Sequence, residues 1–144
     1  FTSEFFGKLY KRNIKQFDNY YQIFINQTSY LLKIIGVNVN TVPVLDLRYH
    51  QSHDVIGTRS FGSNPKIVSK IGNYCIKAYH KKNIGTCIKH IPGHGLARAD
   101  SHKKTPIVKE NFQKLIKKDF LAFKSKDSLF VAEWLAALQK TESF

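Results

Sequence analysis

From Ile14 onward the apolar residues Ile14, Phe17, Tyr21, Phe24, Ile25, Leu31, Leu32 and Ile35 recur mostly at spacings of three and four. Side chains at that period return to one face of a helix, and Gly36 supplies the stop. Val37, Val39, Thr41, Val42, Val44 and Leu45 then form a β-branched run interrupted by Pro43, short enough for a buried parallel strand, with Asp46 at its end. Residues 48 to 64 read as a loop. Asn64 as N-cap and Pro65 as first helical residue open a second helix, which carries Ile67, Val68, Ile71, Tyr74, Cys75 and Ala78 on one face and closes on Lys81, Lys82 and Asn83. Ile84 to Ile88 is the next short strand. The turn-forming Ile91-Pro92-Gly93-His94-Gly95 follows, in a loop that continues to about Pro106.

A third helix is predicted with Phe112, Leu115, Ile116, Phe120 and Phe123 as its face and Glu110 or Asn111 near its start. The order helix, strand, helix, strand, helix is that of parallel βα units, so the fold class is α/β. Residues 1–124 form this unit. Residues 125–144 are set apart as a divergent tail, in which Leu129, Phe130, Trp134, Ala137 and Leu138 have helix-like spacing.

Composition narrows the function classes. The 144 residues suit one domain with one hydrophobic core, and no run approaches the roughly 18 apolar residues of a membrane helix. The first residues lack the basic, apolar, small-residue order of a signal peptide, so the expectation is a cytoplasmic protein with no membrane partner. Lys+Arg 23 against Asp+Glu 10 gives a net charge of +13, which raises nucleic acid as a partner. The lysines are scattered, however, and no aromatic-basic motif or helix-turn-helix accompanies them, so no nucleic-acid partner is expected. An AT-rich coding sequence yields the same excess of Lys, Ile, Asn, Phe and Tyr. Cys75 and Cys87 fall in a helix and a strand and read as small hydrophobes, not as a disulfide. Met is absent and the chain opens on Phe1, from which a missing start is expected.

In βα folds functional groups collect on the loops that leave the C-terminal ends of strands. Both polar clusters have that position. One follows Asp46 and holds His50, His53, Asp54 and Arg59; the other follows Lys89 and His90 and holds His94, Asp100, Ser101 and His102. Asp100-Ser101-His102 is either a turn or a carboxylate that orients an imidazole for proton transfer near neutral pH. Gly93 and Gly95 favour the second, because they permit close backbone approach and unusual φ beside a ligand. Lys89 and His90, leaving a buried strand, are expected to aim polar donors at the same space. The histidine spacings match no zinc pattern, so neither a metal nor another cofactor is expected.

Lys89-His90-Ile91-Pro92-Gly93-His94-Gly95, then Asp100-Ser101-His102, preceded by Val42-Pro43-Val44-Leu45-Asp46 and Gly57-Thr58-Arg59-Ser60-Phe61-Gly62-Ser63, resembles glycoside hydrolase family 3 in its bacterial β-N-acetylglucosaminidase branch. The resemblance implies a partial (β/α)8 barrel and a retaining glycosidase acting on an N-acetylglucosamine-containing glycan, in peptidoglycan recycling. It implies that His102, polarised by Asp100, is the general acid/base; that Arg59, Lys89 and His90 hold the sugar's hydroxyl and acetamido groups; and that Asp46 has a supporting role. The family's nucleophile is an Asp on a later strand, and none of the ten acids of this chain occupies that motif. A (β/α)8 barrel takes about 250 residues, so the resemblance implies a piece truncated at both ends with an incomplete catalytic pair. The alternatives are a sugar-binding remnant and a basic nucleic-acid-binding module without catalysis.

Overall fold

The computed structural model describes residues 1–50, 54–97 and 107–124, and the backbone of Phe130–Glu133. The chain opens with a helix that the apolar pattern did not reveal, α1 (Ser3–Arg12), followed by the long α2 (Ile14–Ile34). Local chemistry sets both. Thr2 Oγ1 accepts from the Phe5 N–H at 3.2 Å, with Glu4 in the first turn of α1 and Lys11 and Arg12 in the last, each on the side that the helix dipole favours. Asn13 ends α1 and caps α2, its side chain accepting from the Gln16 N–H at 3.0 Å. Gly36 follows α2 at φ +74°, as a stop requires.

The buried face of α2 is Phe17, Tyr21, Ile25 and Ser29. Ile14, Leu31 and Ile35, which the periodicity placed on that face, are 57%, 61% and 71% exposed. The six-residue step from Ile25 to Leu31 takes Leu31 and Ile35 off the buried stripe, whereas Ile14 keeps its phase but is the first residue of α2.

A short strand β1 (Val39–Asn40) pairs in parallel with β2 (Gly85–Ile91), Val39 opposite Gly85 and Asn40 opposite Thr86. Pro43 has no N–H to give the ladder, and pairing resumes one bridge later at Val44 opposite Lys89. Three residues on one side (41–43) thus face two on the other (87–88) between the two contacts. The loop after Asp46 contains a 3-10 turn at Gly57–Arg59. Helix α3 (Pro65–His80) begins as predicted, with Asn64 Oδ1 accepting from the Lys66 and Ile67 N–H groups at 3.0 and 3.2 Å. Its Val68, Ile71, Cys75, Ile76 and Tyr79 are buried against β2 and α2. Phe6, Phe17, Tyr21, Leu45, Ile84 and Ile88 complete this core.

Both cysteines are free. Burial pushes the Cys75 thiol up to about 12, so it behaves as the small hydrophobe expected of it.

Two expectations change. The third helix is divided into α4 (Phe112–Lys117) and α5 (Asp119–Phe123) by Lys118, which leaves helical geometry at φ −122°, ψ −84°. Asn111 caps α4 through the Gln113 N–H at 2.8 Å. The helix-like reading of the tail is corrected at 130–133 alone: Phe130–Glu133 is a strand, β3, parallel to β2, and the described strands stand in the order β1-β2-β3. Residues 134–144 lie outside the described ones. Among the described residues, no helix is long and apolar enough to cross a membrane.

Candidate active site

Parallel pairing brings the C-terminal ends of the β1 segment and β2 side by side, and the polar residues meet there. Asp46 is fully buried, and its carboxylate accepts two hydrogen bonds: from the His94 N–H to Oδ1 and from His90 Nδ1 to Oδ2, both at 2.6 Å. A carboxylate only accepts, so Nδ1 carries the hydrogen and the His90 imidazole is fixed in one orientation. The main chain of Asp46 is held as well. Its carbonyl accepts from the buried Ser60 Oγ at 2.6 Å, and that hydroxyl accepts from the Gly62 N–H at 3.1 Å. Three separate stretches, 46, 60–62 and 90–94, therefore converge on one aspartate.

The strand itself aims His90. Lys89 pairs with Ala132 and Ile91 with Glu133, so His90 is an extra residue on β2 relative to β3. Bulges of this kind redirect one side chain out of the regular alternation. Lys89, half-buried, donates from Nζ to Thr41 Oγ1 at 3.0 Å. Burial first, and then the Arg59 guanidinium nearby, lower the Lys89 ammonium below its ordinary value. A cleft of about 300 Å³ opens beside these two cations, with Thr41, Val44, Tyr21 and Phe61 among its walls. Arg59 is exposed and anchored by donation from Nη1 to the Val55 carbonyl at 3.1 Å.

Of the residues singled out in the sequence, Arg59 and Lys89 therefore share one cleft. His90 and Asp46 form a pair at the same strand end, outside the residues that line that cleft. His50 is exposed. Asp100, His102 and His53 lie outside the described residues. Among the described residues, no group of three or more His, Cys, Asp or Glu side chains is placed to hold a metal ion.

The turn after β2 explains its glycines. Gly95 packs so closely on Leu47 that a Cβ would stand 2.1 Å from the Leu47 carbonyl oxygen, and Gly93 has φ +127°. The sequence reading missed the far wall of this turn. There Asp119, 2% exposed, accepts from the Tyr49 hydroxyl at 2.9 Å, across 70 residues. One signal was available: Asp119 falls in step with Leu115 and Ala122 on an otherwise apolar face.

Comparison with known proteins gives this arrangement relatives. The glycosyl hydrolase family 3 N terminal domain matches residues 14–127. Beta-hexosaminidase A of Pseudoalteromonas piscicida is 37% identical over 92 residues, covering 64% of this chain and 15% of that protein. The beta-hexosaminidase of Thiobacillus denitrificans is 34% identical over 116 residues, 78% of this chain and 31% of that one. Among solved structures, NagZ from Neisseria gonorrhoeae in complex with N-trifluoroacetyl-D-glucosamine superposes with a TM-score of 0.77 at 26% identity, covering 92% of this chain and 39% of that one. The chain thus spans well under half the length of these relatives. With its matched segment running from α2 through the Asp46–His90 pair to the end of α5, the chain belongs to glycosyl hydrolase family 3.

Proposed function

We propose that this chain carries the sugar-holding part of a retaining β-N-acetylglucosaminidase site, on a partial (β/α)8 barrel, for peptidoglycan fragments. The observation that carries the reading is Asp46, whose two 2.6 Å hydrogen bonds lock the His90 ring and the turn at His94 beside the Lys89–Arg59 cleft. Such rigidity is what a site needs in order to hold a neutral, oxygen-rich ligand in one pose. The relatives' names as beta-hexosaminidases, and a neighbour solved with an N-acylated glucosamine, favour this substrate class.

In this reading Lys89 and Arg59 donate to sugar oxygens, and His90, oriented by Asp46, accepts from a sugar hydroxyl at Nε2. His102, polarised by Asp100, protonates the leaving oxygen and then takes the proton from water. An imidazole can do both because it titrates near working pH. The retaining cycle also requires a carboxylate on the opposite face of the sugar. We place that nucleophile outside these 144 residues, as befits a chain that spans 39% of the solved relative. Residues 1–124 would be the barrel portion and 125–144 a divergent continuation.

The test is to add N-acetylglucosamine and a chromogenic β-N-acetylglucosaminide to the folded chain, with circular dichroism on the same sample. Binding that is lost in Lys89→Ala, without turnover, supports the reading. Turnover abolished by His102→Ala would mean that a carboxylate within the chain serves as nucleophile. A folded chain that binds no sugar overturns the proposal.

A further inference from the structure

The turn from Ile91 to Gly95 is gripped from two sides. On one, Asp46 accepts the His94 N–H at 2.6 Å, and the Leu47 main chain leaves no room for a side chain at Gly95. On the other stands Asp119: a Cβ at Gly93 would lie 3.0 Å from the Asp119 Cβ and 3.5 Å from its Oδ1. Asp119 is in turn tied by Oδ2 to the Tyr49 hydroxyl at 2.9 Å. Tyr49 is three residues past Asp46 on the same segment. Asp46, Leu47 and Tyr49 of one segment and Asp119 of α5 therefore form a ring of neighbours around the turn, closed by two hydrogen bonds and two close approaches.

The ring depends on a local break. Lys118 departs from helical geometry at the junction of α4 and α5, and Asp119 is the first residue of α5. Covering this carboxyl costs free energy that hydrogen bonds must offset, and among the described residues only Oδ2 accepts one. Burial is the main cause of its raised pKa, which the Tyr49 hydrogen bond partly offsets.

We propose that Asp119, held by Tyr49, is a positioning residue: it fixes the Gly93–His94 segment so that the His94 N–H and the His90 ring stay aligned on Asp46. The inference rests on the functional reading above for its purpose but not for its geometry. Removing Asp119 leaves every side chain of the Asp46–His90 pair in place and loosens only the turn that aligns them.

The experiment is amide hydrogen exchange and proton NMR on the full chain, with N-acetylglucosamine added in a second arm. In Asp119→Ala the His94 amide exchanges about tenfold faster, the scale of one lost hydrogen bond, and its resonance and that of the His90 Nδ1 proton move. Asp119→Asn, which keeps an oxygen for Tyr49, returns both to near their wild-type values. Tyr49→Phe gives a smaller change of the same sign and keeps the test decisive should Asp119→Ala fail to fold. Unchanged His94 exchange in Tyr49→Phe, or an acceleration shared equally by the α3 core amides, overturns the proposal, because the role would then be general stability. In the second arm, sugar affinity falls about tenfold in Asp119→Ala if both readings hold. Absence of sugar binding in the wild-type chain counts against the functional reading alone, since the exchange arm needs no ligand.

Discussion

Two buried aspartates flank the same turn, and they are buried on different terms. Asp46 is fully enclosed, and each of its carboxylate oxygens accepts a hydrogen bond of 2.6 Å. Asp119 is 2% exposed and receives one from Tyr49, while its Oδ1 has no hydrogen-bond partner among the described residues. Depth is nearly equal, and the difference lies in the number of donors that reach the oxygens. A carboxylate with two short donors organises its neighbours, whereas one with a single donor is under electrostatic cost and acts mainly through its shape and one tie.

That contrast breaks most readily at Asp46. Asp46→Ala removes the buried acceptor of the His94 N–H and of His90 Nδ1 and should cost about 3–5 kcal/mol in chemical denaturation. A cost below about 1 kcal/mol would show that the two bonds do not organise the turn.

The flanking glycines sharpen the comparison. Gly95→Ala drives a methyl into the Leu47 carbonyl, which cannot rotate away, and should cost about 3 kcal/mol. Gly93→Ala meets the Asp119 side chain and an unfavourable φ of +127°, for about 1–2 kcal/mol. Equal costs at the two positions would erase the distinction between a rigid and a yielding wall.

Asp119 has its own pH signature. Its folded pKa is raised, so its stabilising contribution is complete below the unfolded value of about 4 and is lost as pH rises through the folded value. Asp119→Asn has no such loss. Its stability relative to wild type should therefore increase between about pH 4 and pH 7, measured by denaturation at each pH. A constant difference across that range would mean that the carboxyl carries no desolvation cost.

The smallest effect belongs to the outer face of α2, where Tyr30, Leu31 and Ile34 are 67%, 61% and 63% exposed. Ile34→Lys should change stability by no more than about 0.5 kcal/mol, although its apolar type resembles that of the core. A large loss would show that this face is covered in solution.

The elements that could be read from the sequence were those fixed by near neighbours. Asn64 with Pro65 announced α3, and Gly36 the end of α2, because caps and stops act within a few residues. The break at Lys118 has no proline or glycine to mark it. β3 could not be seen from Phe130 and Trp134 at helical spacing, because its identity depends on pairing with β2 some forty residues earlier. The same limit holds in the site. The sequence pointed to Asp46, Arg59, Lys89 and His90 as strand-end chemistry, but not to the 44-residue link between Asp46 and His90, nor to the Ser60 hydroxyl beneath it. Tyr49 and Asp119 lay further out of reach, since nothing near either residue indicates the other.

The contact between Gly95 and Leu47 offers a rule for sorting other chains. With 2.1 Å between a hypothetical Cβ and a backbone oxygen, this geometry admits no side chain at all. A protein that shares the Lys-His-x-Pro-Gly-His string but has any residue other than glycine directly after it must carry the strand end that packs there elsewhere, and with it the aspartate that grips the histidine. One letter thus separates sequences that have inherited the architecture of this corner from those that have kept only its spelling.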